Sequence, residues 1–168
     1  MMRRGLIADF YFVCFIAMLT LIALGLSGPS TAGTMIATSK TAALYCANNE
    51  PATLRALRLD DKRLVVVVKS FQLPTPPSAS LVVSLLTANK TQRHEVTRFA
   101  VHPLRAFSAR EPNRQQRFLL SLAEQAQLIE DGQPLCIEVG FDTSGGKLQG
   151  GAAEIDIELV DTADRPRK

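Results

Sequence analysis

Two stretches in the C-terminal third of the chain show the most regular pattern of apolar and polar positions. Residues 135–141 and 155–159 carry large apolar side chains at every second position, with polar or small residues between them. A period of two places successive side chains on opposite faces of a β-strand. The glycine-rich segment 143–151 connects the two stretches, so the pattern predicts a hairpin in which each strand has one buried and one solvated face.

A second hairpin is predicted upstream. Residues 53–59 alternate loosely between apolar and polar positions, residues 60–62 form a polar turn, and the valine run 65–68 follows. Valine is favoured in strands because its branched side chain packs well on a pleated surface. An unbroken run of valines indicates a strand that is covered on both faces.

Two further segments, 80–86 and 95–102, have the composition of strands. Along the second one, alternation is expected to place Val96 on the face opposite to Phe99. The proline tract 73–77 predicts a stiff loop, because proline has no amide hydrogen and restricts the residue before it.

One helical segment is predicted. Residues 123–130 are helix formers, and Leu122, Ala126 and Ile129 are spaced to share one face of a short helix or turn before Gly132. About seven strands with hardly any helix indicate an all-β fold class, an antiparallel β-sandwich with one short helix.

The N-terminus has the layout of an export signal. Arg3 and Arg4 precede the apolar run 10–26, and the small-residue stretch 27–33 follows it. This pattern favours cleavage after Ala32. The uncharged run also approaches the length of a membrane-spanning helix, so a retained anchor is the alternative.

These boundaries divide the chain into four parts. We expect a signal peptide or signal anchor over residues 1–32, a lead-in segment over 33–52, the β-sandwich domain over 53–161 and a polar tail over 162–168. The protein is therefore expected to be exported, either periplasmic or secreted, or alternatively anchored in the inner membrane. Only residues 6–26 would contact the membrane in the anchored case.

Charge is distributed unevenly along the chain. The totals, 19 Lys+Arg against 16 Asp+Glu, give a small surplus that argues against nucleic-acid binding. Twelve basic and four acidic residues fall in 55–117, whereas one basic and ten acidic residues fall in 118–164. One alternative is a domain with a basic side and an acidic side. We expect instead that strands from both halves of the sequence interleave, so that their opposite charges neutralise each other.

Two cysteines, Cys46 and Cys136, remain outside the export segment, because Cys14 lies within the apolar run. In an oxidising compartment an even number of cysteines predicts a disulfide bond. Two free thiols are an alternative, and metal ligation is a weaker one because there is no CxxC spacing. Cys136 falls among the polar positions of its strand, so the bond is expected on the outer side of the sheet or beneath a partly covered face.

The sequence contains no recognisable catalytic motif. On one straight strand His94 and His102 would lie roughly 26 Å apart, too far to bind one metal ion. The chain also lacks a nucleophile turn of the GxSxG type. We therefore expect no catalytic residue, no cofactor and no metal site.

Four arginines flank or lie within the exposed polar segment 108–116: Arg105, Arg110, Arg114 and Arg117. They are the candidate surface for an acidic partner. A solvated loop without a partner is the alternative.

From residue 64 to residue 160 the order of segments resembles the C-terminal β-sandwich domain that follows the copper domain in bacterial tyrosinase-like and plant polyphenol oxidase proteins. The resemblance rests on the strand Val-Thr-Arg-Phe-Ala-Val-His at 96–102 before Phe107, and on segments 117–122, 134–140 and 155–159. The copper domain of that family needs six histidines on helices, and this chain has two, so oxidase activity is not implied. The resemblance implies a stand-alone accessory or shielding domain whose partner is a copper oxidase of the tyrosinase type.

Two functional hypotheses follow. The first is an exported, non-catalytic accessory or interaction domain that serves such an oxidase. The second is a membrane-anchored periplasmic protein that binds a ligand or handles a metal, which would require polar side chains converging in a pocket.

Overall fold

The structure, a computed structural model, describes residues 34–78, 80–87 and 92–162. The predicted signal or anchor segment, with its cleavage point, and the tail from residue 163 lie outside the described residues. Within the described ranges, eight strands form two antiparallel sheets of four strands each. This confirms the predicted all-β antiparallel fold class, with eight strands where about seven were expected.

The two sheets differ in strand order. Sheet A has the order β1-β8-β3-β6, comprising β1 (Met35–Thr38), β8 (Gln149–Asp161), β3 (Lys62–Thr75) and β6 (Gln116–Leu120). Sheet B has the order β2-β7-β4-β5, comprising β2 (Ala43–Ala47), β7 (Leu135–Phe141), β4 (Ser80–Leu86) and β5 (Arg93–Ala100). Because β7 and β8 belong to different sheets, the C-terminal hairpin expected from the alternation is wrong, although both strands are present.

Aromatic contacts join the two sheets across the core. Phe71 of β3 is fully buried, and its ring centroid lies 5.8 Å from that of Phe141 in β7. Phe99 of β5 stacks on Phe118 of β6 with 3.7 Å between ring centroids. Burial of such rings removes a large apolar area from water, which is the main favourable contribution to folding.

The valine run of β3 is buried on both faces, as predicted. Val66 and Val68 face the core, while Val65 and Val67 on the outer face are only 5% and 2% exposed. The cross-strand neighbours of Val67 are Arg117 in β6 and Asp156 in β8. Long charged side chains cover apolar surface with their hydrocarbon stems, which accounts for burial on this side.

The structure corrects the expectation that residues 33–52 are a lead-in segment outside the sandwich. Strand β1 pairs with β8, and β2 pairs with β7, so this segment supplies an edge strand to each sheet. Ala37 and Ala43 are buried in the core. The sandwich therefore begins near residue 35, and its first strands escaped prediction because four or five residues are too few for a clear alternation.

The strand expected at 53–59 is an α-helix, α1 (Pro51–Arg58). Leu54 and Leu57, three residues apart, share the buried face of the helix. The helix ends in a Schellman motif, in which Asp60 adopts a φ of 63° and the Asp61 N–H donates to the carbonyl oxygen of Ala56 at 2.9 Å. No helix among the described residues is long and apolar enough to cross a lipid bilayer.

The short helix or turn predicted over 123–130 is a 3-10 helix, Ala123–Leu128, with non-helical backbone angles at Gln125. It packs against α1. Leu122 and Ile129 at its two ends are buried, as the shared-face pattern requires. The predicted short helix or turn is therefore confirmed, and the α-helix of the described residues, α1, is a separate element that the sequence pattern did not reveal.

The proline tract 73–77 is only partly a loop. Strand β3 continues to Thr75, with Pro74 paired to Gly150 of β8. Pairing with β6 stops at Val68, so β3 has no second neighbouring strand at Pro74 and the missing N–H is tolerated there. Gly151, with a φ of 80°, allows the close approach, because a Cβ at that position would lie 2.9 Å from Pro74 Cβ.

Candidate functional site

An open groove of about 560 Å³ lies on the outer face of sheet B, and we call it the outer groove. Its floor comes from β4, β5 and β7. Its walls come from the turn 38–42 between β1 and β2 and from residues 143 and 144 after β7. The volume falls within the roughly 300–1,000 Å³ of small-molecule sites, whereas two further cavities measure about 170 and 40 Å³.

The floor centres on a row of three directly paired residues. Glu138 of β7, Ser84 of β4 and Glu95 of β5 are cross-strand neighbours. A similar row lies on each side of it, again with one residue each from β7, β4 and β5. The first of these rows consists of Gly140, Val82 and Arg98. The second consists of Cys136, Leu86 and Arg93. Two carboxylates therefore flank one hydroxyl, with a guanidinium group in each adjacent row.

A bulge in β5 assembles this floor. The register with β4 shifts by one residue at Val96, so Glu95 and Arg98, three residues apart, lie on the same outer face. Val96 packs against the core together with Phe99. The expected placement of Val96 on the face opposite to Phe99 is therefore wrong, because simple alternation does not allow for the extra residue.

Arg98 connects the two acidic groups at one end of the groove. Its Nε lies 2.7 Å from Glu95 Oε1, and its Nη1 lies 2.8 Å from Asp142 Oδ2. These contacts raise the pKa of Arg98, the hydrogen bond to Glu95 having the largest effect, and they lower the pKa of Glu95. The pKa of Asp142 is lowered first by the hydrogen bond that the Ser144 backbone N–H donates, at 2.9 Å. All three groups are thus charged near neutral pH.

The charges that line the groove balance. Arg93 Nη2 lies 2.8 Å from Oε1 of Glu138, whose side chain is only 17% exposed. Together with Lys40 in the wall, Arg93 and Arg98 supply three positive charges. Glu95, Glu138 and Asp142 supply three negative ones. The groove therefore has a polar surface with almost no net charge.

Hydroxyl groups are the other prominent feature of the groove. Six of them line it, from Thr38, Ser39, Thr41, Ser84, Thr143 and Ser144. In the wall, Oγ1 of Thr38 accepts a hydrogen bond from the Thr41 N–H at 3.0 Å, and the Thr38 N–H donates to the Thr41 carbonyl at 2.7 Å. This bonded turn gives the wall a defined shape.

Ser84 is the one buried polar side chain of the described residues, with 3% exposure. It lines the groove, and no hydrogen bond between described residues involves its hydroxyl, although the buried side-chain atoms left without a partner there are Nε2 of His94 and Oε1 of Gln125. Ser70 of β3, by comparison, donates to Glu154 at 3.1 Å. A serine hydroxyl that lines a groove can both donate a hydrogen bond to a ligand and accept one from it.

The predicted disulfide joins Cys46 of β2 to Cys136 of β7. The two residues are directly paired, and they lie at the end of the row that contains Leu86. Cys46 is exposed and Cys136 is buried, so the bond lies on the outer face of sheet B, one of the two placements expected. It fastens the edge strand β2 beside the outer groove.

The four arginines proposed as a partner surface do not form one patch. Arg117 lies on the outer face of sheet A in an ion pair with Glu158. Arg114 is held by Glu111 at 3.0 Å and shares a cavity of about 170 Å³ with Arg105. Arg110 is exposed and forms no ion pair within the described residues. Arg105, Arg110 and Arg114 remain near one another in sequence, and their partner-binding role stays a prediction.

The histidines lie apart. His94 is in β5, partly buried, with its Nε2 buried and unpartnered, whereas His102 follows the end of β5 and is exposed. No group of three or more His, Cys, Asp or Glu side chains in the described ranges is arranged to hold a metal ion.

The two charged halves of the sequence interleave, as expected. Of the nine ion pairs among the described residues, six join a base from 55–117 to an acid from 118–164. Arg58 with Asp131 is one example. The uneven charge along the sequence is therefore cancelled in the fold rather than displayed as two sides.

The sequence alone did not reveal the outer groove, because the bulge at Val96 cannot be read from alternation. The available signal was the set of polar and small residues at 136–142, which marked an outer face without showing its shape. Comparison with known proteins finds no matching family model and no matching curated protein.

Proposed function

We propose that this protein is an exported, non-catalytic interaction module that binds its ligand or partner in the outer groove. The observation that carries the proposal is the row Glu138, Ser84 and Glu95, which places polar side chains side by side at the centre of the groove floor. The ion pairs of Arg93 and Arg98 on either side fix the floor before any ligand arrives. Preorganised polar groups in a concave surface are typical of binding sites.

Export is supported by two independent features. The N-terminal segment has the layout of a signal sequence, and the cysteines outside it form a disulfide bond. Disulfides persist in the periplasm and outside the cell but are rare in the reducing cytosol. Cys46 is exposed, so cellular reductants would reach the bond if the protein stayed in the cytosol.

Export is tested by expressing the full chain in a bacterium and treating each cell fraction with a maleimide-linked polymer. We expect the protein in the exported fraction to resist labelling until it is reduced, and then to gain two labels. Retention in the cytosol with reactive thiols would contradict the proposal.

Binding at the groove is tested by hydrogen–deuterium exchange. The purified protein is compared with and without a concentrated extract of the exported fraction. We expect slower exchange in segments 38–42, 82–84 and 138–144, and no such change in the variant Ser84→Leu, which fills the floor. Protection that is absent, or confined to sheet A, would overturn the groove assignment.

The absence of catalysis is part of the proposal. We expect the purified protein to show no oxidation of diphenols, with or without added copper, and to bind no tight equivalent of copper in a titration. Turnover would make it an enzyme. A tightly bound equivalent would favour the metal-handling alternative.

The resemblance to the tyrosinase-type C-terminal domain supplies a proposed partner, a separate copper oxidase. It rests on the order of sequence segments and is independent of the groove. Adding the purified protein to an oxidase of this type is expected to change the rate of diphenol oxidation, and an unchanged rate at saturating concentration would remove this partner. The groove itself favours the ligand-binding part of the alternative hypothesis, because its polar side chains converge as such a site requires.

A further inference from the structure

We infer that the ligand of the outer groove is a neutral, polyhydroxylated molecule, namely a segment of a glycan without charged substituents. This inference rests on the proposed binding role of the groove and names the chemical class that the groove accepts. It is drawn from the balance of charges in the groove, the hydroxyl groups that line it and the small and apolar residues of its floor.

The charge balance disfavours an ionic ligand. Arg93 and Arg98 already contact carboxylates at 2.7–2.8 Å, and the three positive charges lining the groove are matched by three negative ones. At either arginine, a phosphate or sulfate would have to displace a carboxylate from the guanidinium group, and it would be repelled by Glu95, Glu138 and Asp142. A cationic ligand meets the same difficulty at the arginines.

Hydroxyl groups fit these ion pairs without breaking them. A hydroxyl donates one hydrogen bond and accepts others, so it can donate to a carboxylate while accepting from a guanidinium group. Such hydrogen bonds to charged groups are stronger than those between neutral groups. Arg93 with Glu138, and Arg98 with Glu95, therefore offer two places where the hydroxyls of one ligand can bind, and Ser84 lies between them.

Beside the central row of Glu138, Ser84 and Glu95, the floor also carries an apolar and a small residue. Val82 and Gly140 are cross-strand neighbours there, with Ala42 next to Gly140. The absence of a side chain at Gly140 lets Ala42 of the wall approach the floor closely, since a Cβ would lie 3.1 Å from Ala42 Cβ. A sugar ring has C–H groups on its faces and hydroxyls around its edge, so it can lie on this floor while its hydroxyls reach the polar rows and the six hydroxyls of the lining.

The experiment uses protein purified from the exported fraction and labelled with nitrogen-15. It is titrated separately with neutral oligomers of glucose, mannose and N-acetylglucosamine, with a sulfated heparin oligosaccharide, and with inorganic phosphate. We expect at least one neutral oligomer to shift the backbone amide signals of residues 82–84 and 138–144, and the two anionic probes to leave them unchanged. Shifts caused only by the anionic probes, or by none of the probes, would overturn the inference.

A pair of variants measures how much the Ser84 hydroxyl contributes to binding of the neutral oligomer. Ser84→Ala is expected to weaken binding of the neutral oligomer roughly fivefold to tenfold, as expected for the loss of one hydrogen bond. Ser80→Ala is the matched control, because Ser80 lies on the same face of β4 but does not line the groove. Equal effects of the two substitutions would contradict the role of Ser84.

Failure of the glycan inference can be distinguished from failure of the proposed function. If the extract protects the groove from exchange but the neutral oligomers do not shift its signals, the groove binds something else and only the glycan class is lost. If the extract gives no protection and the oligomers give no shifts, both proposals are lost.

Discussion

Cys46 and Cys136 lie directly opposite each other on β2 and β7, with their Cα atoms 4.1 Å apart. This short separation is typical of the non-hydrogen-bonded type of antiparallel pair, in which side chains approach most closely. Among the described residues, β2 is an edge strand that pairs with β7 alone in sheet B. The disulfide therefore fastens an edge strand, and through the turn 38–42 it also limits the movement of one wall of the outer groove.

Loss of this bond is expected to weaken the fold without abolishing it. Replacing both cysteines, Cys46→Ser together with Cys136→Ala, should lower the free energy of unfolding by about 2–4 kcal/mol, because the bond closes a long loop in the unfolded chain. The core remains intact, so guanidinium titration should still give one cooperative transition. A non-cooperative or fully unfolded variant would show that the sandwich depends on the disulfide.

Substitutions of Leu57 and Leu59 can distinguish the helix α1 from the strand that the sequence pattern predicted over residues 53–59. In a strand the two side chains would share one face. In α1, Leu57 is fully buried and Leu59, just beyond the helix, is 60% exposed. Leu57→Ala should therefore cost about 2–5 kcal/mol of unfolding free energy, and Leu59→Ala less than about 0.5 kcal/mol. Similar losses from both substitutions, measured by chemical denaturation, would argue against the helix.

The acidic groups of the groove should titrate at low pH. The pKa of Glu95 is below its ordinary value of 4.5, and that of Asp142 is below 3.8. A lowered folded-state pKa stabilises the protein above the unfolded-state value, and this contribution is lost as the pH falls through the folded-state pKa. Stability should therefore decline below about pH 4.5, as measured by unfolding experiments between about pH 6 and pH 2.

Arg98→Met separates the causes of these two pKa shifts. The hydrogen bond to Arg98 is the main cause for Glu95, whereas the Ser144 backbone N–H is the main cause for Asp142. In the variant, the pKa of Glu95 should return towards 4.5 while that of Asp142 stays below 3.8, as followed by carboxyl carbon NMR. Return of both pKa values to their ordinary range would contradict this assignment.

Cleavage of the signal is expected after Ala32. Sequencing of the N-terminus of protein recovered from the exported fraction should then begin at Gly33. Recovery of an intact N-terminus from the membrane fraction would indicate the anchored alternative, with residues 6–26 in the bilayer.

Part of the fold could be predicted from local pattern. The valine run 65–68 and the alternation at 135–141 and 155–159 identified β3, β7 and β8, because burial of one or both faces leaves a direct trace in the order of side chains. The loosely alternating segment 53–59 was misread, since Leu54 and Leu57 at a spacing of three fit a helix face better than a strand.

Local patterns of side chains did not predict which strands pair with each other. Strands β7 and β8 follow each other in the sequence, yet each pairs within a different sheet. Whether two consecutive strands pair directly or cross between sheets depends on packing against the rest of the chain. The outer groove likewise needs Glu95 and Arg98 on one face, which only the bulge at Val96 brings about.

The sequence by itself predicted the all-β class, and it favoured the interleaving of opposite charges and the pairing of Cys46 with Cys136 over their alternatives, because these follow from composition, spacing and the number of available partners. Tertiary structure alone decided which strands share a sheet and that Ser84 is buried in the groove floor. The physical reason is that burial and cross-strand pairing depend on contacts between residues far apart in the chain. Glu95, Ser84 and Glu138, for example, become neighbours only when β5, β4 and β7 are aligned.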